Sequence, residues 1–203
     1  MKKVLVIHGF GGSKNSETGL RIKSILEKMD PLYNVTLETF DLLDIKGTQR
    51  KIKNIMSNPD YCMIISHSLG AFYCLGYTDS VAKIVINPCM KPSIELPKLL
   101  IDCNKEENES FNKNFNSNID LLKEDFSKAE DAIYTGISSD RERQYTTYGV
   151  FGTNDELFSY KDLYKSTCNA SERMFTIVNS GHKLSEVDLE VAIYNAMDYF
   201  RSL

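Results

Sequence analysis

A chain of 203 residues, 42% hydrophobic and 26% charged, has the composition of an ordinary globule with a sizeable core. Its formal net charge is -4 and no basic stripe stands out, which argues against a nucleic-acid partner. The apolar run after Met1-Lys2-Lys3 stops at His8-Gly9, too short for a secretory signal, and no stretch is long and apolar enough to insert stably in a membrane. The cysteines at 62, 74, 89, 103 and 168 are odd in number and irregularly spaced. Free thiols in a reducing compartment fit them better than disulfides or a metal site, so a cytoplasmic location is expected.

In chain order, Lys3–His8 reads as a short buried strand that ends in His8-Gly9-Phe10-Gly11-Gly12. Ser16–Met29 has helical spacing and is stopped by Asp30-Pro31. Tyr33–Phe40 alternates like a strand, and Gln49–Ser57 is helical up to Asn58-Pro59. Tyr61–Ile65 is a third strand, followed by Ser66-His67-Ser68-Leu69-Gly70 and the helix-like Ala71–Tyr77. Val81–Ile86 is a fourth strand, closed by Asn87-Pro88.

Regular alternation then breaks. Glu95–Ile101 reads as a short helix and the polar, Asn-rich Asn104–Asn118 as a mobile loop. Asn118–Tyr134 is the best amphipathic helix, with Gly136 as its C-cap. Strands resume at Tyr145–Phe151 and Met174–Val178, with a helix at Tyr160–Cys168 between them. A last helix starts near Ser185, with Asp188 completing a pair like a capping box.

Strands that alternate with helices predict a three-layer α/β/α sandwich around a mostly parallel sheet of about six strands. The whole chain, 1–203, reads as one domain with a lid-like insert at about 91–143. Ligands of such sheets bind beyond the strand carboxyl ends. His8, the Ser68 turn, the segment after Gly152 and His182 all fall there.

A strand that turns sharply into a helix can hold a serine hydroxyl up at the tip of the turn, as in the nucleophile elbow G-x-S-x-G. Here Ser66 stands at the first glycine position. Ser68 is the candidate nucleophile, because Gly70 two residues on lets strand and helix approach; Ser66 is its rival. A serine needs a base. Of the three histidines, His182 has the right place: after a strand, next to Gly181, and C-terminal to an acid. His8 is expected to shape the loop after its strand, and His67 to point away from Ser68. Asp155 in Gly152-Thr153-Asn154-Asp155-Glu156 is the candidate acid, with Glu156 as rival. Backbone N–H groups of Phe10 and Leu69 are candidate donors to an oxyanion. The glycines at 9, 11 and 12 lack the spacing of a nucleotide-binding loop.

With these residues in this order, the sequence resembles the α/β-hydrolase superfamily, and within it the small YqiA/YcfP-type esterases. The likeness rests on His8-Gly9-Phe10, Ser68-Leu69-Gly70, Ile86-Asn87-Pro88, Asp155-Glu156 and Gly181-His182. It implies a compact α/β-hydrolase fold and hydrolysis of a small-molecule carboxylic ester or acyl thioester, with no cofactor; the cysteines show no metal-ligand pairing. It also implies Ser68 as nucleophile, Asp155 as acid and His182 as base. A non-catalytic binding protein on the same scaffold, or an acyltransferase using the same three residues, are the alternatives.

Overall fold

The computed structural model describes residues 2–104 and 119–203. Six strands form one parallel sheet: β1 (Lys2–Ile7), β2 (Tyr33–Leu37), β3 (Tyr61–His67), β4 (Ala82–Ile86), β5 (Thr147–Gly152) and β6 (Phe175–Val178). Their order across the sheet is β2-β1-β3-β4-β5-β6. In β1, successive residues Val4, Leu5, Val6 and Ile7 are all buried. A strand side chain points to the face opposite its neighbour's, so burial at every position means that both faces are covered.

The two faces carry separate apolar layers. Val4, Val6, Met63, Ile65, Ile84 and Val150 meet helices α1 (Glu17–Met29) and α8 (Glu186–Arg201). Leu5, Ile7, Ile64, Val85 and Phe151 face the other layer. That layer contains α2 (Ile45–Met56), α3 (Leu69–Gly76), α4 (Pro92–Asn104), α5 (Ile119–Ser138) and α7 (Lys161–Thr167). The expected α/β/α sandwich is therefore the observed fold.

Register brings the strand ends level. Ile7 pairs with Ser66, His67 with Ile86, Ile86 with Val150, and Gly152 with Val178. The residues that follow these ends consequently share one rim of the sheet.

Several boundaries differ from the sequence reading. Helix α2 begins four residues before the expected Gln49, because Asp44 caps it by accepting from the Gly47 N–H at 2.9 Å. Gly136 is not a C-cap: α5 continues through it to Ser138. A Cβ there would lie 2.8 Å from Arg143 Nη1, so the glycine makes room for that buried side chain. A helical turn, α6 (Arg141–Tyr145), precedes β5, with Asp140 capping the N–H groups of Glu142 and Arg143. The strand therefore starts at Thr147 rather than Tyr145. Helix α4 runs from Pro92 and holds Pro97 within it. The loop expected at Asn104–Asn118 lies, beyond Asn104, outside the described residues. Helix α5 packs its apolar stripe against α3, where the rings of Phe126 and Phe72 sit 5.5 Å apart. Among the described residues no helix is long and apolar enough to cross a membrane.

Candidate active site

The turn from β3 into α3 puts Ser68 at φ 57°, ψ -124°. A serine at positive φ is strained by roughly 1–3 kcal/mol and persists only where its surroundings fix it. Here the Ser68 N–H donates to the Ile86 carbonyl at 2.9 Å. The Ser68 carbonyl accepts from the N–H groups of Cys89 at 3.1 Å and Ala71 at 3.0 Å. Gly70 makes the turn sterically feasible: a Cβ there would stand 2.3 Å from the His8 carbonyl oxygen and 2.7 Å from that of Ile7. Ser66, the rival serine, is fully buried within β3 and donates to the Ile84 carbonyl at 3.2 Å. Ser68 instead lines a pocket of about 390 Å³.

On the same pocket lies His182, in the loop between β6 and α8. Its Nδ1 is 3.1 Å from both carboxylate oxygens of Asp155. Asp155 Oδ1 also accepts from the N–H groups of Leu157 at 2.9 Å and Phe158 at 3.0 Å. Burial by itself would raise the Asp155 pKa; the bonds from His182, Phe158 and Leu157 outweigh it and hold the carboxyl below its ordinary value. An ionised Asp155 accepts from Nδ1–H, and in a neutral imidazole so oriented Nε2 keeps a free lone pair. The Phe158 ring packs edge-to-face with the imidazole at 84°, with centroids 4.9 Å apart. Among the described residues, no hydrogen bond joins Ser68 Oγ to His182; the two share the pocket.

No protein-family model matches the chain, and no curated protein matches it. Solved structures do. The ydeN gene product of B. subtilis is 15% identical, with a TM-score of 0.62 over 99% of this chain and 100% of that one. Mouse alpha/beta hydrolase domain-containing protein 10 is 11% identical, with a TM-score of 0.59 over 98% of this chain and 90% of the other. A thermophilic esterase from Thermogutta terrifontis is 13% identical, with a TM-score of 0.55 over 100% and 90%. The chain has the α/β-hydrolase fold. At these identities the likeness is one of fold alone.

Within that α/β-hydrolase fold, the remaining expected residues fall as follows. Phe10 lines the pocket, and Leu69 is the first residue of α3 with its side chain buried. Among the described residues, neither backbone N–H donates to a protein acceptor. His8 is buried and held at both nitrogens: Nδ1–H donates to the Gly9 carbonyl at 2.7 Å and Nε2 accepts from the Phe40 N–H at 2.9 Å. It shapes the glycine-rich loop, as expected. Glu156 does not reach the imidazole; its Oε2 accepts the His182 backbone N–H at 2.9 Å. That bond is the main reason its pKa is lowered. The pocket is otherwise mostly apolar, with Ile22, Leu99 and Leu157 on its walls. Among the described residues, no three His, Cys, Asp or Glu side chains converge as metal ligands.

His67 corrects the sequence reading. It lines the pocket beside Ser68, its ring centroid 4.8 Å from that of His182. On β3 it shares a face with Met63 and Ile65, and the loop before α8 reaches that same face. Its Nε2–H donates to the His182 carbonyl at 2.9 Å. Burial, helped by the nearby His182, lowers its pKa from 6.5 to about 4. Below pH 6.5 the unfolded chain binds a proton that the folded chain refuses, so stability falls as pH drops towards 4. In urea unfolding, wild type should lose roughly 2–3 kcal/mol more than His67→Gln between pH 7.5 and 4.5. Equal losses would contradict this.

Proposed function

We propose that the protein is a serine hydrolase that cleaves a carboxylic ester or acyl thioester through an acyl-enzyme on Ser68. One observation carries the reading. A serine held in a strained strand-to-helix turn shares a pocket with an imidazole whose far nitrogen is bonded to a buried carboxylate. The esterase among the fold neighbours and the sequence resemblance to small YqiA/YcfP-type esterases support the same chemistry.

In this mechanism His182 Nε2 takes the proton as Ser68 Oγ attacks the acyl carbonyl. Asp155 keeps the imidazole in the required tautomer and stabilises the imidazolium that forms. The carbonyl oxygen becomes an oxyanion, held by the N–H groups of Phe10 and Leu69, each contributing about 3 kcal/mol. The Leu69 N–H opens α3, where the helix dipole also favours negative charge. The imidazolium then gives its proton to the departing alcohol or thiol. Water, deprotonated by the same His182, attacks the acyl-enzyme and frees Ser68.

The small apolar pocket suits a small-molecule acyl group, and Leu99 of α4 contributes to its wall. Segment 91–143 is read as a lid-like insert on a single catalytic domain. Short p-nitrophenyl esters test the proposal. A burst of one nitrophenol per protein molecule, followed by steady turnover, is expected. Neither burst nor turnover with any acyl length would leave a binding protein on this scaffold.

A further inference from the structure

Asn87 follows β4 directly, is 2% exposed and adopts φ 41°. Asparagine tolerates positive φ better than most residues, and here the conformation accompanies a side chain whose polar atoms all bond to other loops. Oδ1 accepts from the Gly152 N–H, at the end of β5, at 2.7 Å. Nδ2 donates to the carbonyls of Gly181 at 3.1 Å and His182 at 2.9 Å. One amide thus ties the strand that leads to Asp155 to the loop that carries His182. Its own N–H donates to the Val150 carbonyl at 2.8 Å, fixing it against β5.

The Ser68 turn is tied to the same place. Its N–H is bonded to Ile86, just before Asn87, and its carbonyl to Cys89, just after Pro88. The end of β4 is therefore the joint at which three separate loops meet. The His182 backbone is held on both sides. Glu156 takes its N–H, and its carbonyl accepts from Asn87 and His67. Beyond Val178 the His182 loop has left the β ladder; the Asn154 N–H still holds it at the Ser180 carbonyl at 3.0 Å, and at His182 itself the backbone is held by these side-chain bonds.

We infer that Asn87 is a positioning residue for the reaction: through the His182 carbonyl and the Gly152 N–H it sets the place of His182 relative to Ser68. The inference rests on the serine-hydrolase reading. Asn87 touches no substrate and acts by geometry, and a displacement of about 1 Å at the base costs on the order of 100-fold in rate.

The test uses Asn87→Asp and Asn87→Gly. The first keeps the shape and the acceptor for Gly152 but turns the two donor bonds into contacts between a carboxylate and two carbonyls. The second removes the side chain and tolerates the positive φ, which guards against a variant that fails to fold. Active sites are titrated with a fluorophosphonate, and kcat per titrated site, KM and the downfield proton resonance of His182 Nδ1–H are measured. The expected result is a fall in kcat per site of roughly 100-fold in both variants. KM should stay within about 2-fold, and the Nδ1–H resonance should shift or broaden. A purely structural role would reduce the number of titratable sites and leave kcat per site unchanged. That outcome, with a Ser68-dependent wild type, overturns the role of Asn87 alone. A wild type whose turnover survives Ser68→Ala overturns the hydrolase reading and this role with it.

Discussion

Replacing Ser68 with alanine is expected to lower kcat for a short p-nitrophenyl ester by about 10⁶-fold while leaving the fold intact. The substitution removes one oxygen atom. Among the described residues that atom makes no hydrogen bond, so its loss strands no buried partner. Alanine meets the same positive φ that serine already meets, and thermal unfolding should move by less than about 1 kcal/mol. Ser66→Ala is the matched control. It removes a bond to the Ile84 carbonyl inside the sheet, costing about 1 kcal/mol of stability. Because Ser66 is sealed in β3, turnover should persist. Loss of activity in the Ser66 variant alone would move the nucleophile to that position.

The acid–base pair gives the second large effect. His182→Ala should match Ser68→Ala, since without the base the hydroxyl stays protonated. Asp155→Asn should cost about 10⁴-fold. The amide has the shape of the carboxylate but neither its charge nor its ability only to accept, so the imidazole turns to the wrong tautomer. Glu156→Gln separates the rival acids. Its amide oxygen can still accept the His182 N–H, so kcat should fall less than about 10-fold. A Glu156 variant as damaged as the Asp155 variant would contradict the assignment. The Asp155 carboxyl also links pH to stability. Its folded pKa is depressed, so its contribution is present above the unfolded carboxylate value and is lost as pH falls through the folded one. Acid unfolding of Asp155→Asn should be correspondingly shallower at its low-pH end.

Much of the fold was legible because it depends on local period. Val4–Ile7 is apolar at every position and stops at His8-Gly9, short enough for a strand covered on both faces, and the sheet is parallel as expected. Ser16 and Ser185 were readable as helix starts and do cap α1 and α8. Asp44 was not, because an acid in a loop looks the same whether it caps a helix or faces water. Gly136 misled because a glycine after an apolar stripe usually ends a helix. Here its lack of a side chain answers Arg143, seven residues on, and no local pattern records that.

The site shows the same division. Ser68 with Gly70, and His182 after Gly181, stood out by their position at strand ends. The choice between Asp155 and Glu156 did not, because adjacent carboxylates differ only in where their side chains turn. In the structure one meets the imidazole and the other the backbone N–H of the same residue. Asn87 and His67 were hidden for a further reason. Their partners lie 65 to 115 residues away, and only the register of the sheet brings them together. A polar residue just past a strand is ordinarily a turn former, and nothing in Ile86-Asn87-Pro88 announces bonds to two other loops.

The most direct measurement is the site of covalent attachment. The protein is treated with a fluorophosphonate, digested with trypsin, and fragmented within the peptide 54–83 that carries both Ser66 and Ser68. A single phosphonyl adduct on Ser68 Oγ is expected, formed with loss of fluoride, absent from Ser68→Ala and suppressed in His182→Ala. No adduct on the folded protein, or an adduct at any other residue that survives Ser68→Ala, would contradict it.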